Sequence, residues 1–431
     1  MAKENTSGHP GAIVFRNEPF GGLIFAPDDA VHMELDHEAW EVVLGWYQNR
    51  RRPRTWQEAK LLISIAKEIG LFPGAKRFYT NKNRNEGAVP VYAAPTLVDF
   101  QITDKCFMNC PHCYASSVPE GEHVPWAQII KVFDELEKQG VCQIAIGGGE
   151  PLLHPRFGDL LALSRSKGVV PNVTTAGTHL TPKNLSVLKK YCGAVAVSLE
   201  DIGDGFMTRR KSGFTLFEKA IQKLLKAEIP TVIQVTLSDE NLDQLPQIAD
   251  YCQQVKGLYG VIFLAYKSVG RGIGFNQPLA VRPAGEVFKR LRSTFLKLSK
   301  YTRVGYDCCL APGIAGLDRE MGFEEHDMLE GCSAMRHSFG IDTSLNVIPC
   351  TFVQDKVMGN LKDGDLGTIW DGQNGEAFRS RFANQVADNR SCSTCRSNQS
   401  CLGGCPVFSL VNCSRDYLNN RIKKDRASGE N

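Results

Sequence analysis

Three cysteines lie within one stretch of eight residues: Cys106, Cys110 and Cys113. This spacing brings three thiolates from one loop onto a single small object, and an iron–sulfur cluster takes cysteine ligands in this way. A 4Fe–4S cube has four irons, so the loop would leave one iron without a cysteine from the motif. A tetrahedral zinc site with His112 as fourth ligand is the alternative, although His112 lies inside the turn between two of the ligands.

Strand and helix patterns alternate along the chain from Thr96. Strand patterns cover 96–103, 142–146, 170–175, 194–199, 231–237 and 260–266, and helical patterns cover 125–140, 157–167, 182–191, 214–227, 242–255 and 284–300. Six strands with intervening helices predict an α/β fold, specifically a partial (βα)6 barrel. The active site of such a fold lies at the C-terminal ends of the strands, and the cysteine loop begins at such an end.

The second strand pattern runs into Gly147-Gly148-Gly149-Glu150-Pro151. Glycines at a strand end allow the backbone to approach a ligand closely, and Glu150 can accept hydrogen bonds from an ammonium group. A glycine-rich turn alone is weak evidence. Its position one βα unit after the cysteine loop makes it a strong indication of a ligand site.

Together these features resemble the signature of radical S-adenosylmethionine (SAM) enzymes: the three-then-two cysteine spacing with an aromatic residue next, and a GGEP segment after the second strand. The resemblance implies that Cys106, Cys110 and Cys113 are the catalytic cluster ligands and that SAM binds the fourth iron. It also implies SAM contacts from Tyr114, Gly148, Gly149, Glu150, Pro151, Thr175, Ser198, Arg209, Arg210 and Gln234. A segment at 269–272 resembles the family's GRG turn.

A second field of cysteines lies near the C-terminus, with Cys392, Cys395, Cys401 and Cys405 spaced two, five and three apart and Cys413 further on. With Cys332 and Cys350 upstream, it resembles the SPASM extension of radical SAM enzymes that mature peptides. The resemblance implies two auxiliary 4Fe–4S clusters, three clusters in all. Cluster I would take Cys332, Cys350, Cys405 and Cys309, with Cys308 or an open iron as alternatives; cluster II would take Cys392, Cys395, Cys401 and Cys413. A pair of zinc ribbons is the competing interpretation.

The N-terminal region shows three short strand patterns followed by two helical ones, the first capped by Asp36. It resembles the small winged-helix-like element that binds the leader of a precursor peptide as an added strand. The other interpretation is an N-terminal addition that only packs on the barrel. If it binds a leader, we expect that deleting it leaves SAM cleavage intact.

These patterns predict the following organisation: a leader-binding element at 12–72, a linker at 73–95, the radical SAM barrel at 96–275, a bridging helix at 276–304, the SPASM domain at 305–415 and a flexible tail at 416–431.

Composition limits the partners, the cell compartment and the cysteine chemistry that we expect for the protein. The formal net charge is +3, which gives no argument for nucleic-acid or membrane binding. No apolar run is long enough to span a bilayer, so we expect a cytoplasmic protein. Ten of the fifteen cysteines fall in the two motif regions, which indicates metal chemistry and not a secreted disulfide framework.

The resemblance to radical SAM enzymes with a SPASM extension implies an enzyme that modifies a ribosomally made precursor peptide. Side-chain crosslinking, oxidation or excision of a backbone fragment, as in spliceases, are all open. A sulfatase-maturase-like enzyme that forms formylglycine is one alternative, and a non-catalytic iron–sulfur electron-transfer or scaffold protein is another. The resemblance implies an external electron donor such as flavodoxin or ferredoxin. It leaves open whether a separate protein recognises the leader.

Overall fold

The computed structural model describes residues 12–28, 31–80, 89–203, 213–275, 277–315, 317 and 329–414. Two β-sheets run through these residues, one of four strands and one of ten. No helix in the described part of the chain is long and apolar enough to cross a membrane. Arg209, Arg210 and the tail at 416–431 lie outside the described residues.

The four-stranded sheet belongs to the N-terminal element. Its strands are β1 (Ile13–Glu18), β2 (Gly21–Ala26), β3 (Val31–Asp36) and β4 (Lys76–Tyr79), in the order β3-β2-β1-β4. Helices α1 (His37–Tyr47) and α2 (Trp56–Ile69) pack on one face, where Phe15, Ile24, Trp40 and Val43 form a separate core. The predicted linker is thus partly wrong, because β4 lies within it and pairs parallel to β1.

The ten-stranded sheet holds the predicted barrel. Its strands begin with β5 (Leu97–Gln101), β6 (Gln143–Gly147), β7 (Val170–Thr175), β8 (Val195–Leu199), β9 (Thr231–Leu237), β10 (Gly260–Ala265) and β11 (Arg303–Tyr306). These seven pair in parallel with their chain neighbours. The helices between them are α3 (Trp126–Lys138), α4 (Phe157–Ser166), α5 (Pro182–Tyr191), α6 (Phe214–Lys226), α7 (Leu245–Gln254) and α8 (Ala284–Leu298).

The predicted α/β fold is confirmed, and the parallel sheet is longer than predicted. Helix α8 accounts for the predicted bridge at 276–304, but it leads into β11, which extends the barrel sheet beside β10. The helices cover the outer face of the sheet. Ile144 and Val197 on that face of the strands, and Phe133 and Leu224 on the covering helices, are all fully buried, as expected for this arrangement.

The C-terminal part is not a separate body, because its first hairpin joins the barrel sheet. Strand β12 (Ser338–Ile341) pairs parallel to β5, and β13 (Asn346–Ile348) and β14 (Gly359–Asn360) continue the sheet in antiparallel fashion. Helices α9 (Ala311–Ile314), α10 (Leu366–Asp371), α11 (Gln373–Asp388), α12 (Arg390–Ser393) and α13 (Asn398–Cys401) complete it. This pairing joins the segment that contains Cys350, which lies between β13 and β14, to the sheet of the barrel.

A buried charge pair fixes the N-terminal element to the barrel. Arg16 is fully buried, and its guanidinium donates to Glu18 at 2.6 Å, to the carbonyls of Pro95 and Gly140 at 3.0 Å, and to that of Ala94 at 2.9 Å. Apolar residues of β1 and β2 also pack with Cys142 and Val170 of the barrel. Deleting this element would expose barrel residues that are now buried. That SAM cleavage survives such a deletion remains a prediction.

Candidate active site

One cavity of about 1200 Å³ lies at the C-terminal ends of the barrel strands. Its lining includes the cysteines of the first motif, Gly148 and Gly149, and Ser198 and Gln234 from β8 and β9. The lining also includes cysteines of the C-terminal part, namely Cys308, Cys309, Cys332, Cys350 and Cys405. The two cysteine groups therefore face a shared space.

The cysteine loop follows β5 and is held in an irregular conformation. Asn109 and Ser116 have φ of 46° and 51°, in the left-handed region that few non-glycine residues adopt. Arg271 secures the loop, since its guanidinium donates to the carbonyls of Cys110 at 3.1 Å and Ser117 at 2.7 Å. Arg271 belongs to the segment that the sequence marked as a GRG turn, so this turn positions the cysteine loop.

The glycines after β6 form the floor beside the loop. A Cβ on Gly148 would lie 2.3 Å from the carbonyl oxygen of Thr103, and one on Gly149 would lie 2.2 Å from that of Lys105. Gly148 also has φ of +115°. Side chains are thus excluded at both positions, and the bare backbone faces the cavity.

Glu150 lies beneath this floor and is only 1% exposed. Its carboxylate accepts hydrogen bonds from the Thr175 hydroxyl at 2.7 Å, from the Ala176 N–H at 2.9 Å and from the Leu152 N–H at 3.2 Å. Burial raises the pKa of Glu150, and these donors oppose that shift. Both oxygens already have protein partners, so the carboxylate joins the ends of β6 and β7 and acts on the cavity through the glycine backbone.

The structure brings most of the other predicted SAM contacts to the cavity. Tyr114, Thr175, Ser198 and Gln234 line it. The Thr175 hydroxyl is engaged with Glu150, and Gln234 accepts a long hydrogen bond from Thr174 at 3.5 Å. Pro151 is buried and begins a short 3₁₀ helix capped by Glu150, so its contribution is to the turn.

Five C-terminal thiols gather on one side of the cavity, one more than a 4Fe–4S cube takes. The Cys309 and Cys332 thiols beside Cys308 hold its pKa well below the usual range. Cys309 likewise lowers the pKa of Cys405 to about 7. Both Cys308 and Cys309 thus adjoin the predicted ligands of cluster I.

The predicted ligands of cluster II form a second group. Burial raises the pKa of Cys401 to about 12, and the charges of Cys413, Cys392 and Cys395 act on it in the same direction. Cys392 and Cys395 are brought together by a turn in which the Cys395 N–H donates to the Cys392 carbonyl at 3.0 Å.

These residues fit the cofactors that the resemblance implies. Thiols from one loop and a side-chain-free backbone face a cavity large enough for SAM and part of a substrate, and thiolates are the donors that iron–sulfur clusters take. Within the described ranges, no group of three or more His, Cys, Asp or Glu side chains is arranged to hold a single metal ion.

Sequence reasoning missed several polar groups of this cavity. Asp99 and Gln101 project into it from β5, and the Gln101 side-chain nitrogen is buried without a hydrogen-bond partner. Burial raises the pKa of Asp99 to about 6. His112 lies 3.5 Å from Glu200, both largely buried. The alternation of polar residues along 97–101 was an available signal, since alternate residues of a barrel strand face the interior.

Comparison with known families gives two matches. The model described as the radical SAM superfamily matches residues 100–252, which span β5 to α7. The model described as an iron–sulfur cluster-binding domain, SPASM, matches residues 332–396. The first region contains the glycine floor and the three cysteines of the loop, and the second contains Cys332, Cys350, Cys392 and Cys395.

Among characterised proteins, the chain is 25% identical to an AdoMet-dependent heme synthase of Methanosarcina barkeri, over 75% of this chain and 95% of that protein. It is 26% identical to the mycofactocin maturase MftC of Mycolicibacterium smegmatis, over 72% of this chain and 78% of the relative. Among solved structures, Streptococcus suis SuiB bound to precursor peptide SuiA superposes with a TM-score of 0.67 at 16% identity, covering 91% of this chain and 94% of SuiB.

Proposed function

Because this chain belongs to the radical SAM superfamily and carries a SPASM iron–sulfur domain, we propose that it modifies a ribosomally made precursor peptide. The observation that carries the proposal is the shared cavity, which is lined both by the SAM motifs and by the auxiliary cysteines. SuiB, whose fold this chain shares over most of its length, was solved with a precursor peptide bound.

The N-terminal element supports a peptide substrate. Phe20 and Glu34 of this element line the cavity together with Tyr92. Strand β3, which carries Glu34, is an edge strand of its sheet, and its residues alternate between half-buried and exposed. An extended leader can pair with such an edge by backbone hydrogen bonds, and its continuation would then lie at the cavity.

In this mechanism, Cys106, Cys110 and Cys113 would hold the SAM-binding cluster, and the glycine floor would hold the methionine part of SAM. When bound, the cluster and SAM would supply radical chemistry at a C–H bond of the substrate. The chain positions these two groups: Arg271 holds the cysteine loop in place, and Glu150 holds the glycine floor in place. The enclosing walls keep water from the reacting carbon.

The product bond is the finer part of the proposal. The C-terminal cysteines that line the cavity would hold an auxiliary cluster, which would supply an electron acceptor beside the substrate. This supports an oxidative outcome such as a side-chain crosslink over a redox-neutral one. Excision of a backbone fragment and formation of formylglycine are distinguished by product mass.

The test is co-expression with a short reading frame encoded beside the gene. We expect a mass change in that peptide with the intact enzyme and none with a variant lacking the three loop cysteines. An unchanged peptide from an enzyme that cleaves SAM would contradict the peptide proposal.

Because one relative is a heme synthase, a tetrapyrrole is the second candidate substrate. A change in the visible absorbance of added porphyrin tests this candidate.

Replacing Glu150 with alanine is expected to weaken SAM binding without loss of iron. The floor loses an acceptor for three donors, and each hydrogen bond to a charged group is worth about 1.5–3 kcal/mol. A disordered floor that weakens the binding free energy of SAM by the value of one such bond raises the SAM Kd roughly 10- to 150-fold. Glu150→Gln keeps the side-chain volume and one acceptor, so its SAM Kd should lie between those of the wild type and Glu150→Ala. Calorimetric titration showing wild-type affinity for Glu150→Ala would refute this role.

Cysteines 308 and 309 are expected to substitute for each other at cluster I. Their thiols adjoin one another and the thiols of Cys332 and Cys405, and four thiols complete a cube. Cys308→Ala and Cys309→Ala should each retain about twelve irons, whereas the double variant should change the cluster I spectrum. Iron analysis and electron paramagnetic resonance (EPR) check this. Loss of the cluster in one single variant alone would show a unique fourth ligand.

A further inference from the structure

Lys267 places a buried positive charge in the cavity wall next to the auxiliary cysteines. It follows β10, and its side chain is 4% exposed. Its ammonium forms an ion pair with Asp307, which follows β11 and is 13% exposed. The Asp307 carboxylate also accepts hydrogen bonds from the N–H groups of Ala265 at 3.2 Å and Leu310 at 3.2 Å, so the pair joins two neighbouring strand ends.

The pair is surrounded by residues of both cysteine groups. Asp307 immediately precedes Cys308 and Cys309, whose side chains interact electrostatically with Lys267. The Lys267 ammonium lies 4.4 Å from the ring centroid of Phe352, two residues after Cys350. The Phe352 ring in turn lies 4.8 Å from the ring of Tyr114, which follows Cys113.

We propose that Lys267 and Asp307 set the reduction potential of the auxiliary cluster held by Cys332, Cys350, Cys405 and the 308–309 pair. The inference rests on the proposed function, because it requires that cluster. The reduced cluster carries one more negative charge than the oxidised cluster, so a nearby cation favours reduction and a nearby anion opposes it. Low exposure limits the screening of both charges by salt.

The opposing signs distinguish this role from a structural one. Lys267→Met keeps most of the side-chain stem and removes the cation, so the Asp307 charge is left and reduction becomes harder. Asp307→Asn removes the anion and keeps a side chain that can cap the following turn, so the Lys267 charge is left and reduction becomes easier. Asp99, another acidic group that interacts with Lys267, is unchanged in both variants.

The experiment is a potentiometric EPR titration of the full-length, iron-loaded chain. At the wild-type midpoint, we expect the ratio of reduced to oxidised auxiliary cluster to fall about tenfold in Lys267→Met, a shift of 59 mV for one electron, and to rise about tenfold in Asp307→Asn. Lys267→Arg should stay near wild type. Lys189→Met, which removes an exposed lysine paired with Glu228, should leave the midpoint unchanged.

The outcomes separate this inference from the proposed function. Wild-type protein with only the SAM-binding cluster would overturn the ligand assignment in the proposed function. Full iron with midpoints that stay at the wild-type value, or that move in the same direction in both variants, would overturn the tuning role. A pair that only supports the fold would lower the melting temperature in Lys267→Met without moving the potential of the cluster that remains.

Discussion

Replacing Cys106, Cys110 and Cys113 together with alanine should abolish SAM cleavage and remove about one third of the iron, because one of three clusters loses its protein ligands. The two auxiliary sites use other cysteines and should keep their iron. Cleavage is measured as 5′-deoxyadenosine formed under reducing, anaerobic conditions. The expected result is no product above background.

A control variant separates this effect from general loss of thiols. Cys192 and Cys252 are buried in the barrel core, and burial raises the pKa of each to about 12. Changing both to alanine should leave the iron content and SAM cleavage near wild type. Cleavage that survives in the triple variant would mean that the loop does not hold the SAM-binding cluster.

Arg16→Met should destabilise the protein strongly, because it leaves Glu18 buried without its cation. Burial already raises the pKa of Glu18, and the Arg16 charge is the main opposing influence. Breaking a buried ion pair by removing one partner costs about 3–5 kcal/mol. Urea unfolding measures the loss as a lower midpoint.

The matched control for Arg16→Met is the double variant Arg16→Met with Glu18→Gln. The double variant removes the uncompensated charge and should recover part of the lost stability. It still lacks the donors to the carbonyls of Ala94, Pro95 and Gly140. If Arg16→Met alone were as stable as wild type, the buried pair of Arg16 and Glu18 would not be what holds the N-terminal element to the barrel.

Local patterns in the sequence were sufficient for the barrel and for the core of the site. The strands, the cysteine loop and the glycine turn are each defined by neighbouring residues, so spacing and periodicity identify them. Strand β4 was missed because it has four residues, and its two aromatic members are adjacent and so show no alternation. The parallel pairing of β12 with β5 joins residues more than two hundred positions apart, which no local pattern encodes.

Electrostatic features of the site were not predictable for the same reason. Arg16 and Gly140 lie 124 positions apart, and Lys267 and Asp307 lie 40 apart, so each pair exists only in the folded chain. Glu150 was predicted from its motif, yet its hydrogen bonds to Thr175 and Ala176 depend on how β7 lies beside β6. Sequence identified the residue, and the fold determines what it contacts.

The most direct test of the account follows hydrogen from peptide to cofactor. The candidate precursor peptide is labelled with deuterium at its α-carbons and side-chain carbons and treated with reduced, iron-loaded enzyme and SAM. The account predicts 5′-deoxyadenosine that carries deuterium, together with a peptide of altered mass. A processed peptide accompanied only by unlabelled 5′-deoxyadenosine would contradict the claim that this cavity brings a peptide carbon to the SAM-derived radical.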